Sequence, residues 1–457
     1  MEITIEELVS RQKSYYDSGI TKDIRFRLDM LQKLREAIRG AEDRIFEALK
    51  HDLNKPKAEA YGSEIGFLLA EITFVMKRAA AWAKPKKAKT PWLLLGSKSS
   101  IVPEPYGTAL IISPWNYPVQ LTFAPLIAAI AAGNTAVLKP SELTPVVSSL
   151  IADIVRNTFD PRYVAVVEGD AEVTGRLLRQ PFDCMFFTGS TRVGSIVAQE
   201  AAKRLIPVTL ELGGKSPCIV HRDADLLLAA RRIAFGKFTN AGQTCVAPDY
   251  VWVHREVKAE LIDRLRQTVE QFYGKDPVRN VNYPKIVNER HFQRLSRYLQ
   301  QGTVAFGGET DTLLYKIAPT VMEDVPLDAE SMQDEIFGPI LPVFEYGELD
   351  EAIRFVLGKP KPLALYLFTG EEAVQNNVLS RISFGGGCIN DTLMHLSSPY
   401  LPFGGVGESG TGSYHGEYGF RAFSHYKSVL KQTTAFDLPF RYPSSKTGYR
   451  MMRKWMK

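Results

Sequence analysis

The sequence predicts an α/β protein built on doubly wound parallel sheets, and three observations carry that prediction. From Gly107 onward, short apolar runs alternate with helical ones: Thr108–Ile112, Thr135–Leu138, Tyr163–Val167 and Cys184–Phe187 are rich in Val, Ile, Leu and Phe. Strands apolar on both faces belong to parallel sheets covered by helices on each side. Between them lie amphipathic segments such as Val146–Thr158 and Arg192–Arg204, and this alternation implies right-handed crossovers and a nucleotide-binding layout. A second alternating stretch runs from about Ser216 to Ile389. Its strands are Pro217–Val220, Tyr250–Val253 and Leu363–Thr369, and its helices Leu226–Phe235, Val257–Phe272 and Glu289–Leu299. Two α/β domains with a boundary near Leu212 follow.

The flanking segments read differently. Ile24–Trp82 is helical, because apolar residues recur at three and four, as in Ile38, Ile45 and Leu49, then Ile65, Leu69 and Ile72. Lys84–Ser100 is basic and interrupted by proline, which predicts a linker or loop. Gly385–Gly387 and Pro402–Gly412 are dense in glycine and predict loops that bring backbone close to something. Leu121–Leu138 holds the longest apolar stretch, but Pro125, Gly133 and Asn134 leave an unbroken run about half of the roughly 20 residues a membrane span needs. A buried helix, a Gly-Asn turn and a buried strand are predicted there.

Composition narrows the function classes. With 45% hydrophobic and 23% charged residues in 457, the chain is too apolar to be disordered and long enough for a sizeable core. Four cysteines cannot be a disulfide framework, and the N-terminus MEITIEELVSRQ has no basic region followed by an apolar one. A reducing compartment, the cytoplasm, is expected. The net charge of +5 comes from the tail: Arg441, Lys446, Arg450, Arg453, Lys454 and Lys457 face no acid after Arg441. The remaining body is close to neutral, which argues against nucleic acid as a partner.

Several motifs carry chemistry. FDCMFFTGSTRVG (Phe182–Gly194) is a strand, a turn and a helix start, a junction that aims backbone N–H groups at an anion. Gly189 is expected to permit the tight turn and Gly194 close helix–sheet packing. Either Ser190 contacts a pyrophosphate, or Ser190 or Thr191 merely caps the helix. TAVLKPSE (Thr135–Glu142) places Lys139 at a strand end with Glu142 in reach of ribose hydroxyls, although a surface lysine and a first-turn glutamate fit the same residues. LELGGKS puts Glu211 at a strand end among apolar neighbours, where desolvation equips it as a general base. In NAGQTCVAP, Cys245 follows a Gly-containing loop and is the best nucleophile candidate of the four cysteines. A buried thiol is the plainer reading of that local sequence. No metal site is expected, since CxxC and HExxH are absent and the seven histidines are scattered.

Taken jointly, PWNYP (Pro114–Pro118), KPSE (Lys139–Glu142), GSTRVG (Gly189–Gly194), ELGGKSP (Glu211–Pro217), GQTC (Gly242–Cys245), EIFGP (Glu335–Pro339) and PFGGVGESGTG (Pro402–Gly412) resemble the aldehyde dehydrogenase superfamily. NDTLMH (Asn390–His395) and GSYHGEYGFRAFSH (Gly412–His425) resemble its class 3 branch, that of fatty and aromatic aldehyde dehydrogenases. The resemblance implies the aldehyde dehydrogenase fold: an NAD(P)-binding domain over residues 1–98 and 107–211, and a catalytic domain over 212–398. A bridging element that mediates homodimerisation would comprise 99–106 and 412–440, followed by a basic tail, 441–457. It further implies NAD as cofactor, with NADP also accepted by class 3 relatives. Cys245 becomes nucleophile, Glu211 general base and Asn116 oxyanion donor. Lys139 and Glu142 hold the adenosine ribose, Ser190 the pyrophosphate between Gly189 and Gly194, and Glu335 with Phe337 the nicotinamide ribose. Tyr117, Leu121 and Thr244 are expected along the substrate channel. An acylating or reductive enzyme on the same fold does not need Glu211, and a non-catalytic relative does not need all three catalytic residues.

The tail remains. On a helical projection of Tyr449–Lys457, Arg450, Arg453, Lys454 and Lys457 share one third of the circumference, and Tyr449, Met451, Met452, Trp455 and Met456 fill the rest. That is the pattern of a cationic interfacial helix contacting a membrane surface. A disordered basic tail is the alternative, since so short a helix is marginal in water.

Overall fold

The computed structural model describes residues 3–455; Met456 and Lys457, included in the reading of the tail, lie outside the described residues. Two open sheets organise the chain. The first has six strands in the order Gly410–Thr411, Val208–Glu211, Cys184–Thr188, Thr108–Ile112, Thr135–Lys139, Val164–Val166. All neighbours are parallel except Gly410–Thr411, which runs antiparallel to Glu211 and Leu210. The second has seven strands in the order Thr303–Phe306, Thr320–Glu323, Ile340–Tyr346, Tyr250–His254, Pro217–Val220, Ala364–Phe368, Gly386–Ile389. Only Thr303–Phe306 is antiparallel there.

The apolar runs form these strands because both of their faces are covered. All five residues of Thr108–Ile112, Thr135–Lys139 and Cys184–Thr188 are buried. The helix Pro118–Ala132 is buried on every side, in keeping with a sequence apolar but for Gln120 and Thr122. Pro118 opens it and Gly133, at φ 101°, closes it. Helix, turn and strand therefore replace any membrane span at Leu121–Leu138, and no helix among the described residues is long and apolar enough to cross a membrane.

Three loop expectations need correction. Lys84–Ser100 contributes strands: Lys86–Ala88 and the start of Lys98–Pro105 pair with each other, and Lys98–Pro105 also pairs along its length with Ser424–Lys431 in a three-stranded antiparallel sheet. Gly386–Ile389 is a strand despite its glycines, and those glycines have a packing reason. A Cβ on Gly387 would lie 2.1 Å from the Leu365 carbonyl oxygen of the neighbouring strand. Within Pro402–Gly412, Gly410–Thr411 closes the edge of the six-stranded sheet. In the tail, Gly448–Trp455 is helical.

Candidate active site

In the six-stranded sheet the parallel strands all end on one side, and the loops there carry most of the predicted residues. Ligands in open α/β sheets bind at that edge, beside the point where strand order reverses. Here the reversal lies between Thr108–Ile112 and Cys184–Thr188. Asn116 and Tyr117 follow the first of these strands and Gly189 and Ser190 the second, while Lys139 and Glu211 end their own.

Cys245 arrives from the other half of the molecule. The helix Leu226–Phe238 ends, and Asn240, Ala241 and Gly242 follow at φ 53°, 51° and 72°. Three successive left-handed residues, two of them not glycine, are costly and persist only where surroundings hold them. Gly242 is obligatory, since a Cβ would meet the Gly338 carbonyl oxygen at 2.2 Å. Asn240 Nδ2 donates to the Asn116 carbonyl at 2.9 Å, and Gln243 Nε2 donates to the carbonyls of Asn240 and Lys285, at 3.0 Å each. The half-buried Cys245 is thus presented by a stiff turn.

Cys245 and Glu211 line one cavity of about 620 Å³, together with Tyr117, Leu121 and Thr244. Its other walls are mostly apolar, among them Phe67, Phe235, Phe272, Leu393 and Phe403. Glu211 is buried, neither carboxylate oxygen has a hydrogen-bond partner, and desolvation holds its pKa well above the usual carboxylate range. The Cys245 thiol is pushed up as well, first by desolvation and then by the charges of Glu335 and Glu211. The Tyr117 hydroxyl and Thr244 Oγ1 share a hydrogen bond of 2.7 Å beside it. Asn116 does not line the cavity wall; its Nδ2 donates to the Gln243 carbonyl at 3.0 Å, two residues before the thiol.

The remaining predicted residues gather along the sheet edge. Lys139 is buried, and its Nζ lies 2.8 Å from the Pro140 carbonyl and 3.4 Å from Glu142 Oε2, with Glu142 itself exposed. Burial lowers the Lys139 pKa. Ser190 Oγ accepts from the Val193 N–H at 3.5 Å and caps the helix Thr191–Ala202. Gly189 has an ordinary φ, so the expected tight-turn role gives way to a steric one: a Cβ would lie 2.6 Å from the Phe187 ring. At Gly194 a Cβ would lie 2.4 Å from Leu212, which is the close helix–sheet packing expected. Glu335 packs on Gly213, accepts from the Gly214 backbone and is pushed up by burial. Phe337, at φ 48°, meets Trp115 edge-on at 5.3 Å. A helix N-terminus, an ammonium and carboxylates along one sheet edge form a donor and acceptor set that fits a dinucleotide.

Sequence reading missed two features of this region. Lys55 and Glu64 form a fully buried pair at 2.5 Å, Lys55 Nζ also donates to the Asn116 carbonyl at 3.0 Å, and Glu64 accepts from the Val119 and Gln120 amides. Glu59 lines the cavity. Nothing in the local pattern distinguishes these from a solvated helix face. Outside the cavity, His221, Asp223 and Glu371 bring three potential metal-ligand atoms within 4.8 Å. Asp223 there is already engaged by His221, Thr369 and the Gly370 N–H.

A model of the aldehyde dehydrogenase family matches residues 4–429. The 4,4'-diaponeurosporen-aldehyde dehydrogenase of Staphylococcus aureus (strain NCTC 8325 / PS 47) is 50% identical over 455 residues, 99% of this chain and 99% of its own length. Aldehyde dehydrogenase family 3 member A2 of Rattus norvegicus is 43% identical over 426 residues, 93% of this chain and 88% of the relative. Among solved structures, the substrate-bound state of Staphylococcus aureus AldH matches with a TM-score of 0.98 at 49% identity, over 100% of both chains.

Proposed function

Because the chain belongs to the aldehyde dehydrogenase family, we propose that Cys245, Glu211 and Asn116 perform its chemistry on medium- or long-chain aliphatic or aromatic aldehydes. The enzyme oxidises aldehydes, and the family is NAD(P)-dependent. One observation carries the assignment: a thiol and an unpaired buried carboxylate share the wall of a single, largely apolar cavity.

The Cys245 thiol first gives its proton to solvent, and the desolvated Glu211, a stronger base than a solvated glutamate, is kept for the hydrolytic step. The sulfur then bonds the carbonyl carbon, and the C=O π electrons move onto oxygen. The second hydrogen of the Asn116 amide and the Cys245 N–H stabilise that oxyanion; the amide's first hydrogen is held by the Gln243 carbonyl. NAD(P) held at the sheet edge would supply the acceptor for the hydride that this carbon loses, and that loss leaves a thioester on Cys245. Glu211 next takes a proton from water, the hydroxide adds to the thioester, and the C–S bond breaks to release the acid and restore the thiol. Lys139 and Glu142 would hold the adenosine ribose, Ser190 the pyrophosphate, and Glu335 with Phe337 the nicotinamide ribose. The test is NADH formation with an aldehyde but not with acyl-coenzyme A, lost in Cys245→Ala. Retained turnover would transfer the role to Cys388, whose Sγ lies 3.5 Å from His395 Nδ1.

Two exposed surfaces bear on assembly. The edge strand Ser424–Lys431 exposes Val429 and Leu430, and Ile101 on its neighbour is exposed too. An open strand edge carrying apolar side chains supports homodimerisation through this sheet; light scattering gives the mass. The helix Gly448–Trp455 exposes Arg450, Arg453 and Lys454, along with Tyr449 and Met452, which supports peripheral contact with anionic lipid. Salt-sensitive cosedimentation with anionic vesicles, lost on deletion of 446–457, is the expected result.

A further inference from the structure

The reaction just described makes no use of Glu59, although this residue lines the same cavity as Cys245 and Glu211. The cavity has a closed end and an open one. Thr188, Glu211 and Leu212 are buried, whereas Gly62, Phe235, Phe272 and Met394 are exposed at the mouth. Glu59 stands on the mouth side, between Ala58 and Gly62, just ahead of the π-helical turn Tyr61–Ile65. Turns of that kind occur often at functional sites.

Its Oε1 is buried and has no hydrogen-bond partner. The nearest cation does not supply one, because Lys55 Nζ is committed to Glu64 and to the Asn116 carbonyl. Desolvation pushes the Glu59 pKa up to about 7, against the opposing Lys55 charge and the Asn240 N–H. An acceptor left in this state costs stability, and such a cost is tolerated where a ligand supplies the missing donor. Thr188 Oγ1 and His415 Nε2 are also unpartnered on this cavity, but neither carries charge: burial pushes the His415 pKa down to about 3.

We propose that Glu59 is a specificity-determining residue whose Oε1 accepts a hydrogen bond from a hydroxyl on the distal part of an aldehyde with its carbonyl at Cys245. The proposal rests on the aldehyde-oxidising reading of this cavity. Above the pH at which it ionises, Glu59 also makes a distal carboxylate unfavourable, since like charges would meet in an apolar channel.

The experiment compares kcat/KM for alkanals, ω-hydroxyalkanals and ω-carboxyalkanals of matched, graded chain length, using the full-length enzyme. At the length that brings the hydroxyl to Glu59, the wild type is expected to favour the hydroxy compound over the alkanal by about tenfold or more. Glu59→Leu erases that preference. Glu59→Gln, which keeps a carbonyl acceptor, retains most of it but loses the discrimination against the carboxy series. If Glu59→Leu does not fold, the Gln variant decides through its carboxy-to-hydroxy ratio, which must rise about tenfold. A hydroxy preference that is independent of chain length, or equal in wild type and variants, overturns the proposal. Wild-type oxidation of none of the three series would instead overturn the aldehyde reading itself.

Discussion

Asn116 Nδ2 and the Gln243 carbonyl oxygen lie 3.0 Å apart, so the amide assigned to the oxyanion is tied to the loop that presents Cys245. One amide hydrogen is thereby fixed, and the direction of the other follows from it. Asn116→Ala is expected to lower kcat about 10²–10³-fold, the usual cost of one oxyanion donor. Cofactor affinity, measured by fluorescence titration, should barely change. A loss of less than about threefold in kcat would remove Asn116 from that role.

The position of Glu211 predicts two opposed pH effects. Burial without a partner raises the Glu211 pKa well above the usual carboxylate range, so its base form grows as pH rises, and Cys245 is shifted in the same direction. Activity should therefore climb as the pH rises above neutral. Stability runs the other way. Below the unfolded glutamate pKa of about 4.3 both states are protonated and nothing is lost; above it, ionisation favours the unfolded chain. Glu211→Gln should raise the thermal midpoint at alkaline pH and leave it unchanged in acid. With aldehyde and NAD, the same variant should give one burst of NADH per site and almost no steady state. Full turnover in the variant would dismiss Glu211 as the base.

The sequence made the strand framework legible wherever an apolar run is bounded by glycine, proline or serine. Thr108–Ile112 and Pro217–Val220 have the bounds their patterns predict. Gly386–Ile389 was illegible because glycine density reads as loop, whereas the structure uses those glycines to seat one strand against Leu365. The proximity of Cys245 and Glu211 was visible only through family motifs, since the local sequence of Cys245 equally suits a buried thiol. Lys55 and Glu64 left no signal at all. Nine residues apart in a charged helical stretch, they look solvated until the amide ends of the helix Pro118–Ala132 are packed over them.

That buried pair yields a stability prediction. Lys55→Met leaves the Glu64 carboxylate buried without its cation and the Asn116 carbonyl without one of its donors. Removing one member of a buried ion pair typically costs about 3–5 kcal/mol. The thermal midpoint should fall clearly, and kcat should fall with it because the Asn116 backbone loosens. An unchanged midpoint would mean that Glu64 is satisfied by the Val119 and Gln120 amides alone.

Cofactor discrimination is expected to turn on Glu142. Its carboxylate is exposed at the end of the strand Thr135–Lys139, and Lys139 Nζ, 3.4 Å away, offsets its charge only in part because it also bonds the Pro140 carbonyl. A carboxylate near the adenosine ribose accepts hydrogen bonds from free hydroxyls and repels a 2′-phosphate. The wild type should therefore show a larger kcat/KM with NAD than with NADP. Glu142→Ala removes the repulsion and exposes the Lys139 ammonium to the phosphate, so the ratio should move toward NADP by about tenfold, or about 1.4 kcal/mol. Titrating each cofactor onto the resting protein separates binding from turnover, and the shift should appear in Kd. A wild-type preference for NADP, or a ratio unmoved by Glu142→Ala, would assign the ribose contact to another side chain.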